Sequence, residues 1–185
     1  MVHLAAAIFQ MSASAYFHLF LAESAERFSY LRRFDFVGIA IMISGSTTSP
    51  FYYGFMCEEN WFWGQVYLCQ VWGFCLVATV VTLTTDNKYV NAAAFIIAGY
   101  STLFGMIHLA YYTSEASVRT FYIWPWLFGG ILYAVGAIIY ALKVPERLVP
   151  RTFDIWMQSH TIFHWMILAA ALTHVWASFR VFHER

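Results

Sequence analysis

Charge is what this sequence has least of. Only 11% of its 185 residues are Asp, Glu, Lys or Arg, against about a quarter in a soluble globular domain. Ten basic residues balance ten acidic ones, so there is no basic excess of the kind that nucleic acid binding uses. Cysteine is also scarce. Cys57, Cys69 and Cys75 form no close Cys-x-x-Cys ligand pair, and an odd number allows no complete disulfide framework. There is no Gly-x-Gly-x-x-Gly, no lysine-bearing phosphate loop and no His-Glu-x-x-His, which removes the usual signatures of dinucleotide, nucleotide and zinc-protease chemistry.

Apolar residues fill the space, at 61% of the chain. Uncharged runs extend over Met1–Ala22, Phe36–Cys57, Asn60–Thr85, Tyr89–Ser114, Thr120–Leu142 and Ile155–Phe179. A hydrocarbon core needs roughly 20 helical residues, and each run is long enough. The expected fold is all-α: a polytopic bundle of six membrane helices near 2–22, 36–56, 61–84, 90–112, 122–142 and 157–179, forming one transmembrane domain over 1–185. The first run lacks a basic leader and carries Gln10 and His18, so it reads as a retained helix rather than a signal peptide. Trp61 and Trp63 sit where an interfacial belt belongs. Trp124-Pro125-Trp126 suits a helix start.

Alternating the helices across the membrane sorts the basic residues. The side reached at the end of the first helix holds Arg27, Arg32, Arg33, Lys88, Lys143, Arg147 and Arg151, and the other side holds Arg119, Arg180 and Arg185. Seven against three in short loops places the first side in the cytoplasm. Both termini then lie outside, an arrangement that leads us to expect a further helix upstream of Met1.

Polar residues inside apolar runs are costly and mark function. His160 and His164 are four apart near the start of the last run, one above the other on a helix face. His18 lies about a turn from the cytoplasmic end of the first helix, with Ser14 four residues before it, and Asp35 stands at the start of the second. At 1.5 Å of rise per residue, all can share one slab of membrane. Three imidazoles and an open fourth position match a catalytic zinc site, with Asp35 and Ser14 as surrounding groups that orient or deprotonate water. Packing roles compete with each assignment: Asp35 and Asp154 also suit helix caps, and Ser14 also suits a bond to its own helix backbone. His3, His108 and His174 fall towards the opposite face, His3 and His174 about 21 Å from the first set by helical rise, without helical pairing or an acidic neighbour.

Three blocks carry a resemblance: Ser14-x-x-x-His18; Phe34-Asp35-Phe36-x-Gly38-Ile39-Ala40; and Pro145-Glu146-Arg147 through Phe153-Asp154-Ile155-Trp156-x-Gln158-Ser159-His160-x-x-Phe163-His164. With them the whole chain resembles the progestin and adiponectin receptor family, also called haemolysin III-related, in its adiponectin-receptor-like branch. That resemblance implies a seven-helix bundle of which these six helices would be the second to the seventh. It implies zinc on His18, His160 and His164 near the cytoplasmic face, with Asp35 and Ser14 around it. Kinship with alkaline ceramidases implies hydrolysis of a lipid amide as a candidate activity. Glu23 stands where the receptors often carry a histidine and reads as a solvated carboxylate.

The function expected is a multi-pass, zinc-containing membrane receptor or sensor of lipid homeostasis, acting on membrane lipids, with a ceramide or fatty acid as candidate ligand. The alternative is a non-enzymatic receptor with a purely structural zinc. Transport fits less well, because the polar groups gather at one end instead of crossing the bilayer.

Overall fold

The structure, a computed structural model, describes residues 1–55, 60–112, 123–153 and 156–184. Every regular element among the described residues is helical: α1 Val2–Phe20, α2 Ala25–Gly54, α3 Trp61–Thr84, α4 Lys88–Tyr112, α5 Trp124–Leu142 and α6 Ser159–Glu184. Trp61–Thr84, Tyr89–Tyr111, Trp124–Leu142 and Ser159–Arg180 are long and apolar enough to cross a membrane by length and composition. They turn large apolar side chains outward, such as Leu76, Phe104, Ile107 and Ile131, each more than half exposed. The helices fall into two compact units, Met1–Ser114 and Glu115–Arg185.

In the first unit α2 is the central element, packed by α1, α3 and α4. Its contact with α1 is built on small residues at seven-residue spacing. A Cβ on Gly45 would collide with the Ala6 Cβ, and one on Gly38 would sit 3.2 Å from the Gln10 Cα and 3.6 Å from the Ala13 Cβ. In lipid, where apolar side chains gain nothing by leaving the solvent, such close backbone approach is what holds two helices together. The buried face of α1 is accordingly His3, Ala6, Gln10, Ala13 and Ser14.

Helix α2 begins eleven residues before the expected Phe36. The stretch with Arg27, Arg32 and Arg33, read as a loop from its charges, is the first three turns of a 30-residue helix. At 1.5 Å per residue that helix is about 45 Å long, against about 30 Å of hydrocarbon, so a charged first third is compatible with the interface. Ser24 caps it, accepting from the Arg27 N–H at 3.1 Å, with Glu26 in the first turn. Asp35 therefore lies inside α2 and is not its cap. The polar run before Pro50 satisfies itself: Ser44, Ser46, Thr47 and Thr48 donate to helix carbonyls three or four residues back, which suits a ring that removes a backbone donor.

Arg32 donates to Asp86 Oδ1 at 2.7 Å and Arg33 to the same carboxylate at 3.2 and 3.3 Å. The start of α2 and the α3–α4 turn thus share one end of the unit. Asn87 caps α4 there, accepting from the N–H groups of Tyr89 and Val90.

The second unit is the α5–α6 hairpin. Pro125 occupies the first turn of α5, as expected. The helix ends with Lys143 in the left-handed region at φ 52°. The Lys143 N–H donates to the Tyr140 carbonyl and the Val144 N–H to the Ile139 carbonyl, the paired bonds of a Schellman stop, and Pro145 follows. Gly129 and Gly136 admit α6: the imidazole of His174 occupies the space a Cβ on Gly129 would need, and Met166 lies 3.1 Å from one on Gly136.

Candidate metal centre

Each unit carries part of the set singled out from the sequence. In the second unit, His160 and His164 sit in the first two turns of α6. Their Nε2 atoms are 2.9 Å apart and the rings lie 4.8 Å between centroids. Two nitrogens bound tetrahedrally to one zinc, with bonds of about 2.05 Å, would stand about 3.3 Å apart. The pair is thus within a few tenths of an ångström of chelating separation.

Two neighbours hold the His160 ring. Tyr140, near the end of α5, meets it edge to face at 4.9 Å and 78°. The same Tyr140 ring stacks on Phe163 at 5.4 Å and 20°. Beneath the ring, Glu146 accepts from the Ser159 N–H at 2.8 Å and from the Ser159 hydroxyl. Asp154, the residue expected to cap this helix, lies outside the described residues, and among those described the first N–H is taken by Glu146.

In the first unit, α1 and α2 bring Ser14, His18 and Asp35 together. The Asp35 carboxylate is acted on by two α1 side chains: the Ser14 hydroxyl hydrogen-bonds to it, and His18 interacts with it electrostatically. Ser14 is buried, Asp35 half-buried and His18 exposed. Asp35 Oδ1 is buried with no hydrogen-bond partner among the described residues. Such an oxygen is costly to leave bare, and a donor such as a bound water or a substrate N–H would satisfy it. The donors in each unit are of kinds zinc takes: an imidazole pair in the second, and in the first an imidazole with a carboxylate and a hydroxyl beside it.

The other histidines have packing surroundings. His108 Nδ1 is 2.6 Å from the Tyr67 hydroxyl, and the Trp63 ring meets it edge on at 5.1 Å. His174 stacks on Trp126 at 5.1 Å and 8°. His3 is buried in the α1–α2 contact. Glu23, exposed, pairs with Arg27, as its reading as a solvated carboxylate expects. The residue that sequence reasoning left without a role is Glu146, which appeared only inside a motif; its partner is 13 residues away across a loop.

The profile of haemolysin-III related proteins matches residues 1–175. The chain belongs to that family. It is 36% identical to a heptahelical transmembrane protein of Arabidopsis thaliana over 180 residues, 92% of this chain and 46% of the relative. It is 35% identical to the adiponectin receptor protein of Drosophila melanogaster over 174 residues, 91% of this chain and 39% of the relative. A progestin and adipoQ receptor-like protein of Caenorhabditis elegans is 29% identical over 174 residues, 92% of this chain and 40% of the relative. The chain spans about half the length, or less, of these relatives. As a haemolysin-III related protein with apolar helices of spanning length, it is a multi-pass membrane protein of a receptor-like family.

Proposed function

We propose that this haemolysin-III related chain is a zinc-containing membrane receptor or sensor of lipid homeostasis that hydrolyses a ceramide-like amide. His160 and His164 would be the chelating pair and His18 the third ligand, near the cytoplasmic face. The observation that carries the reading is the convergence of the His160 and His164 Nε2 atoms at 2.9 Å, on a helix face inside an uncharged run. Depth counted along the helices supports His18 as the third ligand.

Zinc held by these residues would supply Lewis acidity, to polarise a carbonyl and to acidify water. Asp35 would take the proton of the attacking water on its bare Oδ1. The Ser14 hydroxyl, which donates to the Asp35 carboxylate beforehand, would turn to the carbonyl oxygen once Asp35 holds the proton and negative charge builds there.

The test is the zinc content of purified protein together with ceramide hydrolysis, comparing wild type with Asp35→Ala. One zinc per chain in both, with hydrolysis in wild type only, is the expected result. Zinc retained with no hydrolysis in either would leave a structural zinc in a non-enzymatic receptor. Absence of metal from wild type would sink both readings.

A further inference from the structure

The first turn of a helix is its weakest place to mount a metal ligand. Its leading N–H groups have no partner within the helix, and terminal turns fray. His160 stands in that turn, as the second residue of α6. A ligand there keeps its place only if something outside the helix holds the turn down.

That hold comes from Glu146. Its Oε2 accepts from the Ser159 N–H at 2.8 Å, and its Oε1 accepts from the Ser159 hydroxyl. Ser159 is 2% exposed, so its end of the clasp is shielded from competing water, while the Glu146 end is part-exposed. The carboxylate also lies at the positive end of α6, where an anion is favoured. Between the two residues, Arg151 and Met157 take left-handed positions, φ 71° and 60°, and Glu146 itself comes two residues after the Schellman stop of α5 closes at Val144. The end of α5, carrying the Tyr140 ring against His160, is thereby tied to the turn that carries His160 itself.

We propose that Glu146 is a positioning residue for the metal centre: by clasping Ser159 it fixes the first turn of α6 and so holds His160 Nε2 in register with His164 Nε2. The proposal rests on the zinc reading above. It assigns Glu146 no contact with metal, water or substrate.

The experiment uses the full chain in detergent or nanodiscs, with Zn²⁺ and Co²⁺ as the probes. Zinc affinity is read by competition with a chromogenic chelator, and ligand geometry by the visible spectrum of the Co²⁺ form. Glu146→Ala is expected to bind zinc about tenfold more weakly, at the lower end of what supporting groups around metal ligands contribute, and to alter the Co²⁺ bands. Glu146→Gln, which keeps an acceptor oxygen, recovers part of both. Asn87→Ala removes the cap of α4, which carries no proposed ligand, and is expected to lower the unfolding temperature while leaving zinc affinity and Co²⁺ spectrum as in wild type.

Wild-type affinity and spectrum in folded Glu146→Ala would overturn the proposal while leaving the zinc reading standing. Equal weakening by Asn87→Ala would overturn it too, by reducing the effect to general loosening. A wild type that binds neither ion overturns the zinc reading and this proposal together. Should Glu146→Ala fail to fold, Ser159→Ala decides: it removes only the hydroxyl bond, and a severalfold loss of zinc affinity supports the clasp whereas none overturns it.

Discussion

A methyl group on Gly129 would fall inside the imidazole of His174, and that ring has nowhere to go. It is stacked on Trp126, 4% exposed and flanked by Tyr133 at 5.8 Å. Gly129→Ala should therefore destabilise the α5–α6 hairpin by about 1–3 kcal/mol, the usual range for overpacking, read as a lower midpoint of thermal unfolding in detergent. Gly130→Ala is its internal control, because a Cβ there meets nothing within 4 Å. The sequence displays the two glycines side by side and offers no way to choose between them. Which one faces α6 depends on the rotation of α5 about its own axis, a tertiary quantity. The histidine pair is the opposite case. Its members are four residues apart on one helix, so the local backbone alone brings their rings together, and their association was legible before any packing was known.

At the scale of elements, charge was a good guide to where helices leave the hydrocarbon and a poor one to where they begin. The stretch from Glu23 to Phe34 was read as a loop, yet from Ala25 onward it is helix. Ser24, with Glu26 two residues on, carries the cap signal for that start. That shift moves Asp35 from a helix end, where a carboxylate is ordinary, into the third turn of α2 beside Ser14. The Glu146 clasp was illegible for another reason: it joins residues on either side of a loop, and only the path of that loop makes them neighbours. Its chemistry gives a pH signature. The Ser159 hydroxyl bond, aided by the Ser159 N–H and the charge of Lys143, holds the Glu146 carboxyl below its ordinary 4.5. A depressed folded value means stabilisation that is complete above 4.5 and fades as pH falls through the folded value. The difference in unfolding midpoint between wild type and Glu146→Gln should be constant from neutral pH to about 5.5 and shrink towards pH 3. A difference that stays level across that range would show that the carboxylate charge contributes nothing to the clasp.

For the molecule as a whole, the decisive physical fact is the partition of its few charges between two aqueous faces. Seven basic residues against three lead us to expect the α1–α2 and α3–α4 connections in the cytoplasm. Within the first unit the structure agrees that these two connections belong to one end, because Arg32 and Arg33 of α2 share the Asp86 carboxylate. Exposed pairs of this kind contribute little stability, so their value is as a topological marker. The orientation is testable by single-cysteine labelling in a background where Cys57, Cys69 and Cys75 are replaced by serine. Asn60→Cys and Asn87→Cys stand at the two ends of α3, about 36 Å apart by helical rise over its 24 residues. With a membrane-impermeant maleimide on intact cells, the residue-60 variant should label at once and the residue-87 variant only after permeabilisation. The reverse pattern would invert the chain in the membrane and carry Asp35 and His18, which lie towards the Asn87 end of the first unit, to the outer face. A zinc-dependent hydrolase would then release its products outside the cell or into an organelle lumen, and a sensor of cytoplasmic lipid signals would no longer fit.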